Sequence, residues 1–255
     1  MRNRNPFRTL LTTLGTLWIT AAVLGAADTA PPLRVGVAPV SPPMIFKEGG
    51  KVAGLDADFA QALGKELGRP VRFVELPWEN LIDALVEDKI DIIMSSVSVT
   101  RPRQFRITFS DPYLRISQMA LIRADEKRRD SLLAGMLADR TIGVRKGTTG
   151  DLLVQQEFPR ARRKYYRTDD EAAQALSKGK IDLFIDDSTM IWYLAGTYEA
   201  KGLTVLPLAL SDEVLAWGMR RSDTPLQQSV AAFLKKARVS GEADQIVRRW
   251  IPKFQ

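Results

Sequence analysis

Apolar positions from residue 33 onward recur with two periods. Short apolar runs at 33–38, 71–76, 90–94, 120–123, 141–145, 183–186, 203–206 and 214–219 have the length of buried strands. Between several of them the apolar residues fall three and four apart. Leu55, Phe59, Leu63 and Leu67 lie on one face of a helix over 54–67, which Gly68 is placed to stop. The order strand, helix, strand, helix, strand predicts largely parallel sheets with right-handed crossovers. Glu48, Gly49, Gly50 and Lys51 read as a hairpin turn. Thr168 or Asp169 is expected to cap one helix, and two helices, at 225–239 and 242–250, end the chain.

One phrase occurs twice. Residues 84–96, which contain Lys89, Ile90 and Asp91, align with 175–187, which contain Lys180, Ile181 and Asp182. Each copy reads as the last turn of a helix, a short turn and a buried strand. The copies part where the strand ends. The first runs into Ser95, Ser96, Ser98, Thr100 and Arg103, and the second into Asp186 and Asp187. The carboxyl ends of strands in open α/β sheets face the ligand crevice. Hydroxyls and a guanidinium suit a carboxylate, because arginine donates two parallel bonds to it. Asp187 suits an ammonium. If the copies sit in facing lobes, the gap between them fits a zwitterion. The alternative reading is a chance recurrence of a common helix–turn–strand unit.

The arrangement predicts a discontinuous first lobe, 31–116 with 212–255, and an inserted second lobe, 117–211. Crossing segments near 114–119 and 207–212 would form the hinge. In the second lobe Gly147, Thr148, Thr149 and Gly150 open a helix whose free backbone N–H groups could meet an anion, or merely be capped.

Composition narrows the chemistry. The chain of 255 residues is 45% hydrophobic and 26% charged, ordinary for a globular protein with a sizeable core. It has no cysteine and no histidine, which excludes disulfides, thiolate nucleophiles, histidine bases and the commonest zinc ligands. No metal or cofactor is implied. The chain opens with Arg2, Arg4 and Arg8, then an apolar run at 10–24, then Gly25, Ala26 and Ala27, so that the first 26 residues or so stand apart from the fold. This is the pattern of a cleavable signal peptide and predicts a periplasmic protein. Removal of those three arginines takes the formal charge from +7 to +4. Arg160, Arg162, Arg163, Lys164 and Arg167 form a basic cluster, read as a solvated face and not as a nucleic-acid site.

Taken together, several stretches resemble the bacterial extracellular solute-binding proteins of family 3, the polar amino-acid receptors of ABC importers. They are 33–37, 54–59, the two Lys-Ile-Asp turns, 95–103, 109–113, 147–149 and 241–250. The resemblance covers essentially the whole chain after residue 26. It implies a two-lobed periplasmic-binding-protein fold of type II, in the α/β class. Each lobe is then a mostly parallel sheet flanked by helices, with a hinge of two crossing segments. It also implies a monomer that captures an amino acid or related small molecule and delivers it to a membrane ABC permease.

Residue by residue, the resemblance implies that Arg103 clamps the ligand α-carboxylate, helped by Ser96 and Ser98, with Thr148 and Thr149 from the second lobe. Asp187 would take the α-ammonium, Trp78 would pack on the ligand side chain, and Arg145 would tune side-chain selectivity toward an anionic or strongly polar group. Structural readings stand beside these roles: Asp187 as a helix N-cap, Trp78 as core, Arg103 as a surface ion pair. One departure concerns the loop 39–44, where family members place an aromatic ring. Here Ser41 lies near that place and Met44 farther along. The reading is of a binding protein and not an enzyme. The alternative is an exported enzyme on the same fold, resembling cyclohexadienyl dehydratases. In it Asp187 or Asp186 would protonate a leaving hydroxyl, which requires a raised pKa.

Overall fold

The computed structural model describes residues 30–124 and 139–251; the expected signal peptide lies outside them, as does 125–130, whose charged sequence reads as a loop. The first sheet is built around β1 (Leu33–Val37), which pairs in parallel with β4 (Val71–Glu75) on one side and β5 (Ile92–Ile93) on the other. One late strand enters it antiparallel to that core and is followed at the edge by a strand that runs with the core again. β14 (Gly218–Met219) pairs with β5 and with β6 (Thr108–Phe109), giving the order β4-β1-β5-β14-β6. The hairpin expected at 48–51 joins β2 (Phe46–Glu48) to β3 (Lys51–Ala53).

Both faces of this sheet are covered, which is why its strands read as continuous apolar runs. Leu33, Val35 and Val37 point to one face and pack on α1 (Leu55–Glu66) and α7 (Thr224–Ser240) through Phe59, Leu63, Val230 and Phe233. Ile93 points to the other face and packs with Leu81 and Leu85 of α2 (Leu81–Val86). A final helix, α8 (Glu242–Trp250), lies on α1, where the Trp250 indole N–H donates to Asp58 at 2.9 Å. The last two described helices therefore belong to the first sheet.

The second sheet repeats the plan. Its order is β10 (Arg162–Tyr166), β9 (Thr141–Arg145), β11 (Leu183–Asp187), β8 (Gln118–Arg123) and β12 (Leu203–Leu206). The first three are parallel, and β8 is antiparallel to both its neighbours. α5 (Asp169–Ser177) and α6 (Ser188–Thr197) cover one face, and α4 (Thr149–Glu157) covers the other.

The two sheets are joined by an antiparallel ribbon, β7 (Leu114–Ile116) with β13 (Glu213–Leu215). The second crossing strand thus begins just after the expected 207–212 segment. The single strand expected at 214–219 is two strands, because Ala216 and Trp217 turn between the ribbon and the first sheet. Trp217 is fully buried there, stacked between Tyr113 and Phe233 with ring centroids at 5.4 and 6.1 Å. The polar stretch at 95–103 runs into an unforeseen helix, α3 (Arg101–Arg106), whose first turn is capped by the Thr100 hydroxyl with a proline just inside it.

Candidate functional site

The carboxyl ends of the two sheets face each other across a narrow cleft. All eight residues singled out above, Trp78, Ser96, Ser98, Arg103, Arg145, Thr148, Thr149 and Asp187, line it. The space between atoms there is ≈ 470 Å³ with its mouth, yet only ≈ 20 Å³ has room for the centre of a water molecule. The walls are drawn nearly together, so a ligand the size of an amino acid needs them to part.

On the first wall, the chain leaves β5 through two serines with backbone tasks. Ser95 Oγ accepts from the Ala38 N–H at 3.0 Å and so ties the ends of β1 and β5 together. Ser96 adopts φ 53°, and its N–H donates to Asp56 Oδ2 at 2.7 Å. Asp56 is fully buried, and burial pushes its carboxyl up to about 6 against the hydrogen bonds that lower it. The Tyr113 hydroxyl and Trp217 indole N–H also lower it, although neither is aligned as a full hydrogen bond. Ser98 is buried and lines the cleft.

α3 delivers Arg103. One guanidinium nitrogen donates to the Ser98 carbonyl at 2.8 Å, the other reaches across the cleft to the Gly147 carbonyl at 3.3 Å, and the group lies over the Trp78 ring at 5.3 Å from its centroid. Arg103 is therefore held by neutral carbonyls and an aromatic face, with no carboxylate in salt-bridge contact among the described residues. Burial lowers its pKa, opposed by the charges of Asp187 and Glu213. A cation positioned in this way lacks a paired anion.

On the second wall, Thr148 caps α4. Its hydroxyl donates to the Arg145 carbonyl at 2.8 Å and accepts from the Asp151 N–H at 3.3 Å, so it is already committed. The first-turn N–H groups of Thr149 and Gly150 have no acceptor among the described residues, which leaves a positive helix end toward the cleft. Asp187 holds the N-cap position of α6 but makes no capping bond. Its Oδ1 instead accepts from Gln118 Nε2 at 2.6 Å, and the same amide donates to Thr149 Oγ1 at 3.0 Å. Burial, then the charges of Asp186 and Glu213, push the Asp187 carboxyl up to about 8. An ammonium placed against it would reverse that shift.

Arg145 has a different setting from the one expected. Its Nε lies 2.8 Å from Asp169 Oδ1 and 3.2 Å from Asp186 Oδ2, both buried. The Asp169 contact is a charge contact without hydrogen-bond alignment. Burial opposes charge on Arg145, but Asp169, Asp186 and Asp187 outweigh it and raise its pKa. This guanidinium is thus neutralised from behind, and it is a weaker draw for an anion than its position alone implies. Gln118 and the Asp169 partnership escaped the sequence reading. A lone glutamine carries no pattern, and Asp169 was visible only as a helix-start acid.

The comparisons with known proteins agree with one another. The family model of the bacterial extracellular solute-binding proteins, family 3, matches residues 33–253. A probable histidine-binding protein of Neisseria gonorrhoeae is 30% identical over 207 residues, 80% of this chain and 76% of its own length. Among solved structures, an ancestral arginine-binding protein bound to arginine superposes with a TM-score of 0.81 at 27% identity, covering 86% of this chain and 98% of that one. An ancestral amino acid-binding protein described as a precursor of cyclohexadienyl dehydratase superposes with a TM-score of 0.77 at 30% identity, covering 86% and 95%.

Proposed function

The chain belongs to the bacterial extracellular solute-binding proteins, family 3, and from that premise we propose that it captures a small zwitterionic amino acid between its two sheets and delivers it to a membrane ABC importer. The observation that carries this is the pairing of unlike ends across one cleft. Among the described residues, a guanidinium without a carboxylate partner faces from the first wall, and a half-buried carboxylate held by a single amide faces from the second.

In this reading the ligand α-carboxylate bonds Arg103, the Ser98 hydroxyl and the open N–H groups at the start of α4, with Ser96 and Thr148 shaping the wall. The α-ammonium meets Asp187, which Gln118 and Thr149 hold in place, and Trp78 packs on the ligand side chain. The β7–β13 ribbon is the hinge between a first lobe of 31–116 with 212–255 and a second lobe of 117–211. Opening admits the ligand; closure removes water from both charged contacts. The family fits a monomer that reaches the periplasm by a cleaved signal peptide at 1–26 and meets an ABC permease.

A thermal-shift screen of the purified protein against the common amino acids, polyamines and small carboxylates at about 1 mM tests the reading. A ligand with a dissociation constant near 1 μM adds about 4 kcal/mol of stability. For a protein of this size that is a rise of roughly 8–16 °C. A rise for one class of amino acid is expected. A flat panel would overturn amino-acid capture.

One observation favours a second reading. A carboxyl pushed up to about 8 in a closed cleft holds a proton at neutral pH, as a general acid must. A structural neighbour is described as a precursor of a dehydratase, although it is itself an amino acid-binding protein. In such an enzyme Asp187 would protonate the leaving hydroxyl of a cyclohexadienyl acid. Water and carbon dioxide depart, and the electrons of the broken carbon–carboxylate bond complete the aromatic ring. Incubation with prephenate or arogenate decides it: an aromatic product that the D187N variant does not form supports catalysis, and no product leaves binding alone.

A further inference from the structure

The cleft does not end at Trp78 and Arg145. Those two residues and Ala38 also form the inner wall of a second cavity of ≈ 910 Å³, which opens outward between the loop after β1, the end of β4 and the edge strand β10. That volume lies in the range of sites for drug-sized ligands, about 300–1,000 Å³. The inner cleft is tight, and this outer chamber is much the roomier of the two. Its walls are chemically specific. Tyr165 and Tyr166 of β10 line the second-sheet side and Trp78 the first; Tyr166 packs partly into the second-sheet core, which leaves the exposed Tyr165 ring open to a planar group.

The charges in the chamber are unevenly satisfied. Lys47 and Glu75 pair with each other at 2.7 Å, and Arg145 is held by Asp169 and Asp186. Lys146 and Arg167 line the chamber and make no salt bridge among the described residues, while Glu79 is the one unpaired acid there. The unpaired cations are both on the second-sheet side, just outside Arg145.

We propose that the cleft takes amino acids whose side chain is extended through an amide and ends in a second anionic group, with the amide lying between Trp78 and Tyr165 and the terminal anion facing Lys146 and Arg167. This rests on the amino-acid capture proposed above, because the inner end of such a ligand occupies the zwitterion site. The side chain leaves the inner site between Trp78 and Arg145. The neutralisation of Arg145 by its two aspartates keeps that passage from trapping the anion before it reaches the outer cations.

The probes are L-lysine, Nε-acetyl-L-lysine and Nε-succinyl-L-lysine, titrated calorimetrically into the purified protein at low ionic strength, where exposed charges are least screened. The succinyl compound should bind at least about fivefold more tightly than the acetyl compound, the scale of two solvent-facing charge contacts. The K146A/R167A double variant should erase that preference and leave the acetyl compound unchanged. Equal binding of the two acylated lysines by the unaltered protein overturns the proposal, as does a preference that survives in the double variant. If neither acylated lysine binds while any common amino acid does, the outer chamber is not a subsite and the capture reading stands. If no amino acid binds either, both readings fall together.

Discussion

The two Lys-Ile-Asp units are built alike down to single hydrogen bonds. In each, a residue in the left-handed region ends the helix: Asp88 at φ 58° and Gly179 at φ 67°. The following lysine N–H turns back to the helix, Lys89 to the Ala84 carbonyl at 2.8 Å and Lys180 to the Ala175 carbonyl at 2.9 Å. Next, Ile90 and Ile181 are buried over a glycine of the neighbouring strand. A Cβ on Gly36 would lie 2.2 Å from Ile90 Cδ1, and one on Gly143 would lie 2.6 Å from Ile181 Cδ1. Finally the aspartates reciprocate bonds with that strand. Arg34 N–H donates to Asp91 at 2.9 Å, and Thr141 N–H donates to Asp182 at 2.7 Å.

The units diverge most beyond the strand. The first leaves through serines and a short helix to a cation, and the second runs straight into two carboxylates at the start of α6. The repeated residues carry the fold and the unrepeated ones carry the charge. A scaffold used twice with opposite ends yields a cleft with a positive and a negative wall.

The largest effect should come from the unlike ends. Arg103→Ala should weaken binding of the ligand found in the screen by about 2–5 kcal/mol, the usual result of truncating one partner of a buried charge contact. Calorimetry reads this directly, and normal binding by R103A would mean that the charged end of the first unit is not the site. The like parts should differ in a smaller but measurable way. Asp91 is ringed by Arg34, Arg69 and Arg220 at 2.6, 3.1 and 3.6 Å, whereas Asp182 meets Arg140 at 3.5 Å and is more exposed. Burial works against the Asp91 charge, but the Arg34 hydrogen bonds outweigh it and lower its pKa. Asp91→Ala should destabilise by about 3 kcal/mol, the low end for a buried ionic network because its arginines reach solvent. Asp182→Ala, losing chiefly a bond to a backbone N–H, should cost about 1 kcal/mol. Equal losses in urea unfolding would show that the arginine collar adds nothing to the first unit.

The shared parts were legible in the sequence because each rests on a local requirement. A buried isoleucine, a turn in the left-handed region and a strand-end aspartate each restrict residue type, so the phrase repeats visibly. The family and its two-sheet α/β fold followed from such stretches. Ser96, Ser98, Arg103 and Asp187 stood out because polar groups gather where strands end, Thr148 and Thr149 because they open a helix, and Trp78 and Arg145 only through the family resemblance; all eight line one cleft. What escaped depends on distant partners. Arg145 meets an aspartate 24 positions on, at the start of α5, and that contact decides what its charge is worth. Trp217 interrupts an apolar run that has ordinary strand periodicity, because the chain must pass there from ribbon to sheet. α3 was hidden because Thr100 and Pro102 signal a helix start, but the six residues that follow the cap have no apolar face of their own.

The unlike ends should also titrate differently. Asp187, facing Asp186, Glu213 and Arg145, is pushed up to about 8, while its counterpart Ser96 has no charge to lose. A carboxyl with a raised folded pKa gives stability that is complete at low pH and is lost as pH rises toward that value. The ligand-free protein should therefore melt lower at pH 8.5 than at pH 5.5. Asp56, raised to about 6, acts in the same direction, so D187N should remove only part of the slope. Asp91, whose pKa is lowered, contributes below this window. Binding runs the opposite way. An ammonium requires the ionised carboxylate, so affinity should rise with pH, by up to about tenfold per unit, and level off near 8. Each binding event should release a proton, measurable as a dependence of the calorimetric enthalpy on buffer. A flat affinity between pH 6 and 8 would detach Asp187 from the ligand.

The smallest effect separates the two turns. Gly179 has open space around it, so Gly179→Ala adds no clash and its cost is that of holding a side chain in the left-handed region, about 1 kcal/mol. Asp88 already bears that cost. Its carboxylate offsets part of it with contacts to Arg34 at 2.6 Å and Arg220 at 3.0 Å, on a side chain that is 69% exposed. Exposed pairs of this kind contribute roughly 0–1 kcal/mol each. Asp88→Gly exchanges strain for those pairs and should leave stability within about 0.5 kcal/mol of the parent, with a gain appearing as salt is added and the pairs are screened. Denaturant melts of the two variants at low and high salt make the comparison. If G179A were neutral, the turn geometry would not constrain the second unit, and the glycine there would need another reason.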